Sequence, residues 1–531
     1  MKTHSRRPLP ALRLALAFLV PAGAAAAPFT VTNLADSGAG SLRQAVLGAN
    51  AAAGADTVSF APGLTGTITL TSGEIAISDP LVVNGPGIGV LTVDGNDQFR
   101  IFYIEKPAVA APIDVTLQNL TLTRGRGFPE HSSLGLVGGA VFANGENLTI
   151  LDSVISDSTT GLQQDPPAFA CGGNVALSNF AGVSGVTLRI VNSLLTGGTS
   201  LGIGGQSGGN LCVVSAQLVL ERSTLTGGFA ESGGGLYGVS LVAGSSIVLS
   251  TISGNEGQSV GGGIAADSFG PMGDLTIESS TISGNTSSSG GGISTNQTNL
   301  RILDSTISGN QGGDTGGGVA GGSGSLQFTN STVSGNHARL GGGIFFVGSS
   351  PGSLILRLTT VSNNTAGLRG GSLLAAIPPV ADVVQLDHSI LANGAPEDLD
   401  GPGTTPATVT ANDSLIEAPG TVLVVGAHNR IGVDPLLGPL ASNGGPTLTH
   451  EPLPGSPVID AGNPAIPSPP PTDQRGAARI VGPAIDLGSV EKGLGIVEVP
   501  TLSQIGLLVL CAVLLAAGVV LLRRVRTRPP A

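Results

Sequence analysis

The feature that most constrains the fold is a repeated phrase in the middle of the chain. Ser-Thr-Ile-Ser-Gly-Asn occurs three times, and close variants and weaker copies surround it. A second phrase, Gly-Gly-Gly followed by Leu, Ile or Val, keeps pace with the first, and its copies start 25 to 29 residues apart. Such spacing indicates an array of similar units and not one globular core. The clear copies of the first phrase lie at 250–255, 280–285, 305–310, 331–336 and 359–364.

Each repeat contains about three short stretches in which apolar and polar residues alternate. Leu275-Thr-Ile277 and Leu300-Arg-Ile302 are examples, and Gly, Asn and Ser separate these stretches from one another. Alternation over so few residues is typical of half-buried β-strands. Strands that recur with this period stack on their equivalents in the next repeat. The sequence therefore predicts an all-β fold, a right-handed parallel β-helix solenoid with three strands per coil, over residues 111–395.

The flanks of the repeats are expected to cover the open strand edges at the two ends of the solenoid. Residues 28–110 are predicted to form an N-terminal cap and the first coils. Within them, Ser41 and Gln44 fit the capping box of a short helix that runs to about Asn50. Residues 396–495 lose the repeat and are predicted to form a separate C-terminal region.

Two sets of polar residues are predicted to link neighbouring coils. The Asn that ends each clear copy of the first phrase is expected to form a ladder, in which each side-chain amide bonds the next. Cys171 and Cys212 stand beside equivalent Gly-Gly-Asn turns, so they either form a disulfide between coils or remain free thiols. The predicted ladder residues are Asn255, Asn285, Asn310, Asn336 and Asn364.

The two ends of the chain are predicted to direct the protein into the cell envelope. Residues 1–27 have a basic start, an apolar run and small residues at the end, which is typical of a secretory signal peptide. Residues 505–522 contain no charged residue and are followed at once by four Arg. This pattern predicts a transmembrane helix with its Arg-rich tail in the cytoplasm, and everything before the span outside.

The C-terminal 36 residues, 496–531, resemble the IPTL-CTERM sorting domain of Gram-negative bacteria. The resemblance is carried by a short phrase followed by the span and the Arg-rich end, although Val stands where the family usually has Ile. It implies sorting to the cell envelope or outer surface and cleavage by a membrane-embedded processing enzyme. The phrase consists of Val499, Pro500, Thr501, Leu502 and Ser503.

The repeats and the C-terminal region carry two further resemblances. The alternation of the two repeated phrases is similar to the repeats of polymorphic outer membrane proteins and other β-helix surface proteins. The region 396–495 resembles the choice-of-anchor Q domain, which implies surface anchoring and no particular activity. Its acidic and basic residues are predicted to form a charge network, with a metal or catalytic role as the alternative. The phrases that carry the second resemblance are 443–450, 454–462, 472–476 and 485–491, and the charged set is Asp460, Asp473, Arg475 and Asp486.

The composition of the chain between its two end segments bears on what this part of the protein can bind. Eight of the 23 basic residues lie in the two end segments, which leaves 15 basic against 35 acidic residues, a net charge of −20. An acidic surface with few aromatic residues argues against nucleic acid and against acidic polysaccharides. The sequence therefore predicts a structural or adhesin-like role with a surface glycan or a protein as ligand. No cofactor is expected, and Ca²⁺ is the alternative.

A carbohydrate-active β-helix enzyme, either a polysaccharide lyase or a glycoside hydrolase, is the competing hypothesis. Such enzymes need clustered carboxylates on adjacent coils. The residue before each Ser-Thr phrase varies from Asp152 and Asp304 to Arg222 and Leu249, which indicates a solvent-facing turn and not a catalytic position. No catalytic residue is therefore predicted. The irregular coils at 152–222 are the region where an active site would be sought.

Overall fold

A computed structural model describes residues 28–106, 111–127, 136–161, 170–201, 207–348, 352–376, 383–401 and 407–493. The described residues up to Glu491 belong to one compact unit, and only the first two residues of the second unit, Lys492–Ala531, are described. The predicted signal peptide, the sorting phrase Val499–Ser503 and the span 505–522 lie outside the described residues. Within the described ranges, no helix combines the length and the apolar character that crossing a membrane requires.

The chain forms a parallel β-solenoid of the right-handed type with about 12 turns. A coil runs through four sheets, here called sheets 1 to 4 in the order in which the chain passes through them, and each strand pairs with its equivalents in the neighbouring coils. The strands of sheet 1 are Pro28–Val31, Asp56–Phe60, Leu81–Asn84, Asp114–Gln118, Asn147–Leu151, Thr187–Val191, Gln217–Glu221, Ser246–Val248, Gly273–Glu278, Thr298–Leu303, Gly324–Thr329, Gly352–Arg357, Val383–Asp387, Thr408–Asn412 and Leu423–Val425. The strands of sheet 2 are Gly66–Thr69, Leu91–Asp94, Thr121–Thr123, Val154–Ser156, Leu194–Thr196, Thr224–Thr226, Thr251–Ser253, Thr281–Ser283, Thr306–Ser308, Thr332–Ser334, Thr360–Ser362, Ile390–Ala392, Leu415–Ile416 and Arg430–Ile431.

The other two main sheets complete the coil. The strands of sheet 3 are Arg126–Gly127, Thr159–Thr160, Thr199–Ser200, Phe229–Ser232, Glu256–Val260, Thr286–Ser289, Gln311–Thr315, His337–Leu340 and Thr365–Arg369. The strands of sheet 4 are Ile75–Ile77, Phe102–Ile104, Val141–Asn144, Val175–Ser178, Leu211–Val214, Leu236–Val239, Ile264–Asp267, Ile293–Asn296, Val319–Gly321, Ile344–Val347, Leu373–Ala376 and Leu399–Asp400. Two small sheets pair Leu136–Val137 with Ala170–Cys171 in parallel and Leu437–Ala441 with Thr449–Pro452 in antiparallel orientation.

The core is a set of apolar columns that run along the solenoid. Because successive side chains of a strand point to opposite faces, one residue of each Ser-Thr-Ile-Ser phrase points inward. Ile252, Ile282 and Ile307 are in register on sheet 2 and are at most 1% exposed. The same holds for Ile277 and Ile302 on sheet 1. The inward columns account for the alternation seen in the sequence.

The prediction of three strands per coil is wrong for the middle of the solenoid, where sheet 3 adds a fourth. Thr286–Ser289 reads Thr-Ser-Ser-Ser and Gln311–Thr315 reads Gln-Gly-Gly-Asp-Thr. Neither contains an apolar residue, so the alternating pattern that marks the other strands is missing. Only pairing with the neighbouring coils identifies these segments as strands.

The N-terminal cap contains the helix that its capping sequence predicts. The helix spans Leu42–Ala51, and the Oγ of Ser41 accepts a hydrogen bond from the backbone N–H of Gln44 at 3.2 Å. Its buried face, which includes Leu42 and Val46, belongs to the same apolar core as the first strands. The helix therefore joins the core at the end of the solenoid, as expected of a cap.

The C-terminal region is arranged differently from the expected end cap. The solenoid continues past residue 395 to the strand Arg430–Ile431. The chain then turns back, and residues 437–491, here called the C-terminal cover, pack on the outward side of sheet 2. The cover reaches back to the coil that contains Thr306. It therefore protects a long side of the solenoid.

Candidate functional site

The five Asn residues predicted to form a ladder are brought together inside the solenoid. The Nδ2 of each of the first four donates to the Oδ1 of the Asn in the next coil at 2.9 Å, and each of these Oδ1 atoms also accepts a backbone N–H from the preceding Asn. Asn364, the last, donates to the carbonyls of Val333 and Ser362. Their exposed fractions are 0–1%. All four hydrogen-bonding positions of an inner Asn such as Asn310 are thus used within the protein. These residues hold the coils together and are not available to a ligand.

The ladder extends over two coils that sequence reasoning missed. Asn174 donates to Asn210 at 2.8 Å, and Asn210 donates to Asn255 at 3.1 Å. These two Asn precede sheet 4, whereas Asn255 follows sheet 2. The position that Asn255 holds after its sheet 2 strand is held by Gly228 one coil earlier. The Asn210 side chain fills the space beside Gly228, where a Cβ would lie 2.6 Å from the Asn210 Nδ2. The sequence signal for both residues is the phrase Gly-Gly-Asn, at 172–174 and 208–210. Its Asn supplies the side-chain amide from the start of a sheet 4 strand instead of from the end of a sheet 2 strand.

A second buried column was also missed, although its residue begins every Ser-Thr phrase. The backbone N–H of Ser250 donates to the Oγ of Ser280 at 3.0 Å, and Ser280 donates in the same way to Ser305. Each hydroxyl in turn donates to the carbonyl two residues before it. The column satisfies backbone groups at a corner that would otherwise leave them buried and unpaired.

The residue before each of these Ser has a positive φ, which explains its variety. Asp152, Leu249 and Asp304 have φ values of 45°, 50° and 49°. In the earlier coils, such as those of Asp152 and Leu249, this side chain is exposed, so many residue types are accepted. The expectation of a solvent-facing turn holds for the earlier coils but not for Asn330, Leu358 and His388, which are buried beneath the C-terminal cover.

Cys171 and Cys212 form a disulfide between neighbouring coils, with a Cα–Cα distance of 5.5 Å. Cys212 lies on sheet 4, and Cys171 lies on the small two-stranded sheet through which the chain passes just before sheet 4. Both belong to a second apolar cluster on the outward side of sheet 4, together with Tyr103, Phe142 and Tyr237. Part of this cluster, including both Cys, lies in the irregular coils 152–222 where an active site would be sought, and the cluster consists mainly of apolar packing.

The charged set of the C-terminal region comes together within the cover. Asp473 pairs with Arg475 at 2.8 Å, and the Oδ1 of Asp486 accepts the backbone N–H of Asp460 at 2.5 Å. Two residues outside the predicted set complete the network. Glu491 accepts the backbone N–H groups of Val481 and Asp486, and Arg479 donates to the carbonyls of Asp486 and Gly488. These contacts fix irregular backbone.

Carboxyl groups with raised pKa values are scattered over the described residues. Burial raises the pKa of Asp267, Asp304 and Asp398 to about 6, and that of Glu491 to about 7. Asp267 bonds the hydroxyl of Tyr237, and its equivalents in the adjacent coils are Val239 and Asn296. No cluster of three or more His, Cys, Asp or Glu that could hold a metal ion occurs in the described part of the chain.

An open groove of about 220 Å³ lies where sheet 1 begins in four successive coils. The Oγ of Ser353 donates to the Oγ of Ser325 at 3.1 Å, and Asn299 accepts the backbone N–H of Ser325. Phe269, in the turn that leads to the groove, is 70% exposed in a chain with only 14 Phe. Asp274 stands in the same column one coil earlier and faces Arg301. The groove is lined by Met272, Asn299, Gly324, Ser325, Gly352 and Ser353.

We expect Asp267 to make the stability of the protein depend on pH. Its folded pKa of about 6 is above the ordinary value of 3.8, so folding favours the protonated form. Its contribution is fully present below pH 4, decreases by about 2–3 kcal/mol as the pH rises to about 6, and then stays constant. Asp267→Asn should remove this part of the decrease in urea unfolding at pH 4, 5, 6 and 7. Asp314→Asn, at an exposed site, is the control and should leave the pH profile unchanged.

Comparisons with known proteins add no family to these observations. No known protein family matches the chain, and no curated protein matches it. One solved structure, described as Geobacillus virus E2 ORF18, is similar over 76% of this chain at 8% identity, with a TM-score of 0.21. The chain spans about 63% of the length of that structure. At this TM-score the similarity carries no argument about function.

Proposed function

We propose that this is a secreted, envelope-sorted β-solenoid protein with an adhesin-like role, and that its ligand is a neutral surface glycan. The single observation that supports the proposal most is the lining of the groove. Its hydroxyl and amide groups suit the hydroxyl groups of a sugar, and Met272 with the exposed Phe269 offers apolar surface beside them. A ligand without charge also suits the predicted net charge of −20 on this part of the chain.

The competing enzymatic hypothesis requires two or three carboxylates that converge on an accessible groove. None of the groove-lining residues carries a carboxylate. The described carboxyl groups with pKa values raised to about 6 or 7 each bond parts of the scaffold instead, as Asp398 does with the backbone N–H of Gly394 and of Ala418. These observations favour binding over turnover.

The localisation belongs to the same proposal. The signal peptide at 1–27 and the sorting domain at 496–531 would carry the solenoid across the inner membrane, and a processing enzyme would release it from the span 505–522. Mass spectrometry of the mature surface protein should find a C-terminus that precedes the span. An intact Arg-rich tail on the surface protein would contradict the cleavage.

The binding proposal is tested with an array of neutral and acidic glycans. Ser325→Tyr fills the groove, and it should weaken binding of a retained neutral glycan at least tenfold. Gln385→Tyr is the matched control, because it places the same side chain outward on the same sheet two coils beyond Ser325, outside the groove lining. Equal binding by both variants would reject the groove as the site. Turnover of any polysaccharide in the same panel would instead support the enzymatic hypothesis.

A further inference from the structure

The outward side of sheet 2 carries two columns of Thr and Ser, here called the Thr/Ser face. In each of its central coils the two residues that flank the inward Ile, Leu or Val point outward and are in register with those of the next coil. The face divides into an open part and a part beneath the C-terminal cover. The open part includes Thr224, Thr226, Thr251, Ser253, Thr281 and Ser283, and the covered part includes Thr306, Ser308, Thr332, Ser334, Thr360 and Ser362.

The covered part shows how the hydroxyl groups of this face bond a segment of polypeptide, the C-terminal cover. Thr306 Oγ1 donates to the carbonyl of Leu448, and Thr332 Oγ1 donates to the side-chain oxygen of Gln474, both at 2.6 Å. Further along, Thr360 Oγ1 accepts the backbone N–H of Ser489 at 3.0 Å. The Thr hydroxyls thus serve as donors and acceptors for an irregular segment of polypeptide.

An apolar anchor accompanies these hydrogen bonds. Leu358, in the positive-φ position before the Thr-Thr-Val-Ser phrase, is fully buried and packs in one cluster with Ile466 and Ile485 of the cover. Burial of an aliphatic side chain of this size contributes about 2 kcal/mol. The covered coil therefore combines one buried Leu with a row of hydroxyls.

The open part repeats this combination. Leu249 occupies the same positive-φ position as Leu358, with φ values of 50° in both, but it is 46% exposed. Thr251 and Ser253 follow it as Thr360 and Ser362 follow Leu358. The coils between them keep the face continuous, since sheet 2 pairs without a break from Thr251 to Thr360.

We propose that the open part of the Thr/Ser face is a docking surface for the C-terminal cover of a second copy of this chain. The continuity of the face with an existing interface, and the repetition of its Leu, Thr and Ser, identify this occupant. A cover that leaves its own coils finds the same contacts around Leu249 on another molecule. Copies then associate through their covers, and the association is independent of the glycan proposed above.

The test uses engineered disulfides in the full chain, with Cys511→Ser in every variant. Thr251 and the Thr360 that contacts Ser489 are four coils apart, which is roughly 19 Å at the ordinary strand spacing. A disulfide between residues 251 and 489 is therefore too long within one copy. Thr251→Cys with Ser489→Cys should give dimers on non-reducing gels in proportion to concentration, whereas Thr360→Cys with Ser489→Cys should bond within one copy.

Leu249→Asp separates docking from chance collision. The fold tolerates Asp at this position, because Asp152 and Asp304 occupy it in other coils. Added to the first pair, Leu249→Asp should reduce dimer formation at least tenfold. Sedimentation of the chain with and without Leu249→Asp, both with native Thr251 and Ser489, measures the same association without engineered Cys. The proposal would be overturned if Thr251→Cys with Ser489→Cys gave only monomers while Thr360→Cys with Ser489→Cys formed its bond within one copy. It would also be overturned if Leu249→Asp left the amount of dimer unchanged.

Discussion

Asn310→Ala should lower the free energy of unfolding by about 4 kcal/mol, because the Asn310 side chain lies in the middle of the buried ladder. It removes the acceptor of the Asn285 Nδ2 and of the Asn285 backbone N–H, and the donor to the carbonyl of Ile282. Each buried polar group left without a partner costs about 1–3 kcal/mol. The ladder runs along the axis, so hydrogen exchange should also become faster in the two neighbouring coils.

The control for this variant is Asn296→Ala, at an exposed position of sheet 4 in a neighbouring coil. It removes the same side-chain atoms, but at a position where water can take over their hydrogen bonds. Its effect on the free energy of unfolding should therefore stay within about 0.5 kcal/mol. Urea unfolding followed by circular dichroism compares the two. A loss for Asn310→Ala of less than about 1 kcal/mol would mean that the ladder does not hold the coils together.

The parallel solenoid could be predicted because its core repeats a visible pattern. An inward Ile such as Ile282 has apolar equivalents one period away in both directions, and the five Asn keep the same spacing. Sheet 3 escaped prediction for the opposite reason. Its strands, such as Thr286–Ser289, bury hardly any apolar side chain and are strands only because their neighbours are.

The C-terminal cover could not be predicted from local sequence. Thr251-Ile-Ser253 and Thr306-Ile-Ser308 are identical, yet the outward Thr of the first is half-buried and that of the second is fully buried. The difference comes from a segment more than 130 residues further along the chain. The charged set at 460–486 was recognised, but its partners Arg479 and Glu491 were not, because their roles depend on how the irregular backbone folds back.

The groove was likewise not predicted. Ser325 and Ser353 are neighbours through the register of sheet 1, and the turn that contains Phe269 and Met272 forms the adjoining surface. Neither relation is encoded in the repeated phrases, since the turns between sheets 4 and 1 vary in length from coil to coil. The position of a binding surface on a solenoid thus depends on the parts of the repeat that are least regular.

Arg479→Met should destabilise the C-terminal cover by about 3–5 kcal/mol, because it removes the donor to the buried carbonyls of Asp486 and Gly488 and leaves the acidic groups nearby without a compensating charge. Burial lowers the pKa of Arg479 only to about 10, so it is charged at neutral pH, where it attracts the negative charge of the acidic side chains of Glu491, Asp473 and Asp486. The cover should then become sensitive to limited proteolysis at urea concentrations where the solenoid is still folded. Arg339→Met, which removes an exposed partner of Asp314, should change the cleavage rate by less than about twofold. Equal cleavage of the two variants would show that the cover is held by its Thr, Ser and Leu358 contacts alone.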